Sequence, residues 1–210
     1  MGRSSQLLLS ASLVLGIVAA YVWWQRHPGE SIAATLDPIH QTLAPLPSGG
    51  AVLSMKLQST SFKHESDIPQ RHTCEGTDAA PALAWSGAPP TTKSFALVVD
   101  DPDAPDPRAP KTVWVHWVLY GMPPVTLGTP EGATKATLPP GTREGKNDWK
   151  QTGWRGPCPP IGRHRYFFKL YALDTMLPDL GTPTKAELEK AMDGHIVGQA
   201  TLVGYYKKAK

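Results

Sequence analysis

The chain is interrupted by 22 prolines and 19 glycines in 210 residues, and they fall between short apolar runs instead of forming one low-complexity tract. Proline fixes φ and removes a backbone donor, and glycine supplies the conformations that tight turns need, so punctuation this dense leaves little room for long helices. Between the stops lie β-branched and aromatic segments: "KLQSTSF" (56–62), "PALAWSG" (81–87), "KSFALVVDD" (93–101), "TVWVHWVLYGM" (112–122), "RYFFKLYALD" (165–174) and "IVGQATLVGYY" (196–206). These read as strands. The run that ends at Asp101 is apolar almost without alternation, which predicts burial on both faces. Strand period places Trp114, His116, Val118 and Tyr120 on one face of the next run. In "HRYFFKLYALD" it places His164, Tyr166, Phe168 and Leu170 on one side and Arg165, Phe167 and Lys169 on the other, which Arg165 and Lys169 solvate.

Only "TKAELEKAMDGH" (184–195) reads as a helix. Thr184 is the N-cap, Glu187 completes a capping box, Leu188, Ala191 and Met192 form the apolar stripe, and Gly194 is the stop. Many strands with one late helix predict a mostly β domain, antiparallel sheets packed face to face with one or two helices at the edge.

The first thirty residues follow different rules. "LLLSASLVLGIVAAYVWW" (7–24) is uncharged and long enough to cross a bilayer as a helix, with Arg3 before it, Arg26 after it, and Trp23 and Trp24 at the interface position. This predicts a membrane anchor over 1–26, a linker over 27–53 with a short helical turn near Ile32, and a folded domain over 54–210. The expected location is a bacterial inner membrane, single-pass, with the domain in the periplasm. The alternative is cleavage at Val18-Ala19-Ala20 and release. Cys74 and Cys158 supply one bridge in an oxidising compartment or two buried thiols. A formal net charge of +3, with basic residues scattered, argues against a nucleic-acid partner.

Four aspartates and four prolines crowd "DDPDAPDPRAP" (100–110) at the end of an apolar strand. A calcium loop fails in detail: counted from Asp101, no glycine stands at position 6 and Thr112 replaces the bidentate glutamate. The cysteines lack zinc spacing, no Gly-x-Ser-x-Gly elbow is present, and no glycine-rich loop precedes a helix. No metal and no cofactor are expected. What remains is polar residues at strand ends: Asp101 and Asp103, His116, and the segment "GPCPPIGRHRY" (156–166). A carboxylate beside an imidazole orients it, and an imidazole beside a phenol makes a small receptor for phosphate or carboxylate. Singly, each has an ordinary explanation as a turn, a core histidine or packing.

Together, "TCEGTDAAPALAWSGAPPTTKSFALVVDDPDAP", "VWVHWVLYGMP", "GPCPPIGRHRYFFKLYALD" and "AELEKAMDGHIVGQATLVGYY" resemble the phosphatidylethanolamine-binding protein family in its bacterial, Raf-kinase-inhibitor-like branch. The resemblance runs from about Met55 to Tyr206. It implies a large antiparallel sheet packed on a smaller one with Greek-key connections, and a preformed pocket for phosphate, a phosphoethanolamine head group or acetate. The residues it implicates are Asp101, Asp103, His116, His164 and Tyr166, with the backbone of Gly156, Pro157 and Cys158 lining the anion and a Cys74–Cys158 bridge stiffening the rim. It also allows a homodimer. Two departures, Val115 before the strand histidine and no helix after "YYKKAK", argue against kinase regulation. Competing readings are an inhibitor of a protease or kinase and a hydrolase that uses the same Asp, His and Tyr side chains.

Overall fold

A computed structural model of the chain describes residues 55–209. The strands are β1 (Lys56–Ser59), β2 (Ser66–Asp67), β3 (Leu83–Ser86), β4 (Ser94–Ala104), β5 (Thr112–Met122), β6 (Gly128–Thr129), β7 (Arg143–Glu144), β8 (His164–Leu173) and β9 (Ile196–Tyr206). The helix α1 spans Lys185–Met192, and one 3-10 turn covers Gln70–His72. All six sequence-predicted strands are present. The three two-residue strands carry no period for a sequence pattern to reveal. Among the described residues no helix is long and apolar enough to cross a membrane. The expected anchor over 1–26, the cleavage motif and the linker turn lie outside the described residues.

The strands form a small sheet in the order β1-β3-β6 and a large one in the order β2-β9-β8-β4-β5-β7. The long pairs β4–β5, β4–β8 and β8–β9 are antiparallel, whereas the edge strand β2 runs parallel to β9, so the large sheet is not wholly antiparallel. One face of the large sheet packs Leu97, Val99, Phe168, Leu170 and Leu202 with Leu57, Leu83 and Trp85 of the small sheet. The other face packs Ala96, Val98, Val118 and Tyr120 beneath Leu188 and Met192 of α1. β4 contributes to both clusters, which is why its sequence barely alternates. The helix begins with the expected capping box between Thr184 and Glu187.

The expected face of β5 needs correction. Val99 pairs with Trp117 but Asp100 pairs with Val115, so His116 is an extra residue, a β-bulge. The extra residue moves the later side chains by one step. Val118 and Tyr120 therefore face α1, while Trp117 and Leu119 face the small sheet. Trp114 pairs with Asp101 and stays on His116's side.

Candidate functional site

At the end of the large sheet, on the face shared with the small sheet, is a hollow of about 270 Å³. Its walls come from β4 (Asp101, Ala104), β5 (Trp114, His116) and β8 (His164, Tyr166), with Pro105, Trp149, Cys158, Pro159 and Pro160 from the loops. Five residues implicated by the sequence (Asp101, His116, Cys158, His164 and Tyr166) thus converge on one place. The other three stand behind the wall. Asp103 Oδ1 and Oδ2 accept from Arg165 Nη2 and Nε at 2.6 and 2.9 Å, and Oδ2 also accepts from the Arg165 amide at 2.9 Å. Arg165 is therefore a bidentate ion-pair partner, not merely a solvating residue. Gly156 donates its amide to Asp78 Oδ1 at 2.7 Å, and the Pro157 carbonyl accepts from the Cys74 amide at 3.1 Å. A Cβ at Gly156 would lie 2.2 Å from the His72 carbonyl oxygen, so only glycine allows this approach. The Cys74–Cys158 disulfide joins the same two loops beside the hollow.

Hydrogen bonding assigns the protons. His164 Nε2 faces the Ile161 carbonyl at 2.9 Å, which can only accept, so this nitrogen carries a hydrogen. Its Nδ1 shares a proton with Asp101 Oδ2 at 2.7 Å, and Asp101 Oδ1 accepts from the Asp103 amide at 2.8 Å. Both ring nitrogens of His164 are occupied, so it braces the wall and offers no free donor. Burial holds the Asp101 carboxyl above its ordinary range, more than the His164 and amide hydrogen bonds lower it. Asp103 is held below that range by Arg165.

His116 is arranged differently. Its Nδ1 donates to the Arg155 carbonyl at 2.5 Å, which leaves Nε2 as an acceptor at the hollow. Burial, opposed by that carbonyl, lowers its pKa to about 4, so the ring is neutral near pH 7. The ring contacts Tyr166 edge-on, with centroids 5.2 Å apart, and Trp149 at 5.1 Å. Tyr166 Oη is buried and has no hydrogen-bond partner among the described residues, and burial pushes its ionisation far upward. It is a neutral donor awaiting an acceptor.

Trp149 went unrecognised in the sequence. Asn147 Oδ1 accepts from the amides of Trp149 and Gln151 at 3.0 and 3.2 Å, and its Nδ2 donates to the Gly153 carbonyl at 3.1 Å. That turn presents the indole to His116 and Trp114. The available signal was an asparagine two residues before a lone tryptophan in the polar stretch "KNDWK".

The profile of the family described as phosphatidylethanolamine-binding protein matches residues 58–207. The chain belongs to the phosphatidylethanolamine-binding protein family. Its relatives put it in the bacterial and archaeal branch of that family. A UPF0098 protein of Methanothermobacter thermautotrophicus is 45% identical over 155 residues, covering 73% of this chain and 99% of the relative. A UPF0098 protein of Chlamydia trachomatis is 39% identical over 154 residues, with the same two coverages. Among solved structures, the putative phosphatidylethanolamine-binding protein homolog CT736 of Chlamydia trachomatis is similar at TM-score 0.69 and 38% identity, covering 75% of this chain and 99% of that one. YbcL of E. coli, described as a member of the mammalian family, is similar at TM-score 0.68 and 30% identity, covering 74% and 99%. Both solved structures share the mostly β architecture of this family member.

Proposed function

We propose that this chain is an exported, membrane-tethered binding protein whose hollow holds a small oxyanion: phosphate, the phosphate of a phosphoethanolamine head group, or a carboxylate. The observation that carries the reading is the Tyr166 hydroxyl, buried without a partner among the described residues, in a hollow that also presents the His116 ring and the unpartnered Trp114 Nε1–H. A buried donor in that state signals a missing acceptor, and an oxyanion oxygen supplies it. Asp101 and His164 act behind these groups and hold the wall in shape. The rim is anchored by a disulfide, which suits an oxidising compartment, and the apolar segment at 7–24 supplies the tether.

Isothermal titration of the full chain in a nonionic detergent tests the ligand. Phosphate and phosphoethanolamine bind in the millimolar range or tighter, and His116→Ala and Tyr166→Phe each weaken binding by about tenfold, the loss of one hydrogen bond to a charged group. An absence of heat with both ligands overturns the reading. The tether is tested separately. The chain stays with membranes after alkaline extraction, and protease added to spheroplasts of an expressing bacterium cuts within 27–53; protection there places the domain on the other side.

A further inference from the structure

The hollow lacks the fixed positive charge that an oxyanion receptor ordinarily carries. No lysine or arginine lines it among the described residues. The nearby guanidinium groups are committed elsewhere, Arg165 to Asp103 and Arg155 to Asp78 and Gln151. The Asp101–His164 pair is neutral as a whole wherever its shared proton sits, because His164 Nε2 is held protonated by the Ile161 carbonyl. Outside that pair, the wall's side chains leave Tyr166 O–H and Trp114 Nε1–H as buried donors without partners among the described residues, and Nε2 of His116 as the bare acceptor. A fully deprotonated oxyanion satisfies the donors but meets the lone pair of His116 Nε2.

From this we infer that the hollow takes its oxyanion together with one proton, which lies between a ligand oxygen and His116 Nε2. The inference rests on the reading of the hollow as an oxyanion pocket and narrows its ligand class. The preferred head presents one bare oxygen and one O–H, as in a phosphate monoester in its singly charged form or a carboxylic acid. A carboxylate acquires the missing proton from solvent on binding. The groups facing His116 agree with this. Asp100 and Asp148 favour a charged ring from the α1 side and the 147–151 turn, while His164 opposes it from β8. Asp100 is already matched by Lys169 and Lys185, so its pull is largely spent, and burial keeps the empty ring neutral.

The test is isothermal titration of the full chain with acetate and with methyl phosphate, each in two buffers of different ionisation enthalpy. Near pH 7 acetate binding takes up about one proton, and its affinity falls about tenfold per pH unit as pH rises. At about pH 5.5, where methyl phosphate carries its own O–H, that ligand binds with almost no uptake while acetate still takes one. His116→Gln, which keeps a hydrogen-bonding group but cannot titrate, abolishes both the uptake and the pH slope. Tyr166→Phe weakens binding and leaves the uptake unchanged, which separates the proton from the donor. Binding without proton uptake in the unmodified chain overturns this inference and leaves the pocket reading standing, as does uptake that persists in His116→Gln. Failure of both probes at every pH removes the pocket reading and this inference with it.

Discussion

Asp100 and Asp101 are neighbours on β4, 0% and 3% exposed, yet the two faces of the sheet treat them differently. Asp100 points toward α1, where Lys169 and Lys185 meet it at 2.8 and 2.5 Å. Asp101 lines the hollow and, among the described residues, meets only His164 and the Asp103 amide. A carboxylate held between two lysines is a fastener, whose removal strands its partners. A carboxylate balanced by an imidazole whose other nitrogen is tied to a carbonyl is a bracket, which holds a ring in one tautomer at an edge where ligand arrives. Burial alone does not separate structural acids from functional ones. The kind of counter-charge does.

This contrast is sharpest in stability measurements. Asp100→Asn leaves two lysines facing a neutral group, and chemical denaturation shows a loss of about 3–5 kcal/mol with ligand affinity unchanged. A drop in affinity comparable to that of pocket variants would erase the distinction between the faces. Next in size is a pH effect on the hollow side. His116 titrates at about 4 when folded and at its ordinary 6.5 when unfolded, so the unfolded chain takes the proton first. The associated stability is complete above about pH 6.5 and is lost as pH falls toward 4, about 3 kcal/mol in all. Denaturation across that range shows the loss in the parent chain and its absence in His116→Gln.

Asp101→Asn comes third. Burial already disfavours the ionised Asp101, so its contribution to stability shrinks as pH rises through the raised folded value, opposite in sign to Asp103, whose contribution disappears as pH falls through its depressed one. Near pH 7 the substitution therefore removes about 1 kcal/mol of stability, from the hydrogen bond to His164, while reducing phosphate affinity by about tenfold. A larger stability cost than that of Asp100→Asn would reverse the assignment. Arg165→Met has the smallest effect. Its side chain is half exposed, so despite bidentate geometry the loss is about 0.5–1 kcal/mol, with affinity unaffected.

The long elements were legible because each carries a period and a stop. Thr184, Glu187 and Gly194 bracket α1, and Tyr166, Phe168 and Leu170 alternate toward the core as the sequence indicates. The site residues were legible as types and, through the family's motifs, as a set. Their roles were not. That His164 has no nitrogen to spare depends on the carbonyl of Ile161, three residues away, and that His116 offers Nε2 depends on the carbonyl of Arg155. Every residue has a carbonyl, so sequence cannot announce which one a ring will meet. The face of Val118 and Tyr120 was hidden for a related reason, since a bulge has no composition of its own and shifts everything downstream by one step.

The β5 bulge also bears on engineering. The pairs Asp100–Val115 and Val99–Trp117 are the ones a regular strand would make if His116 were absent, so the imidazole stands outside the ladder while its neighbours keep their partners. Deleting that one residue would take a titratable atom out of the wall while the flanking tryptophans keep their partners.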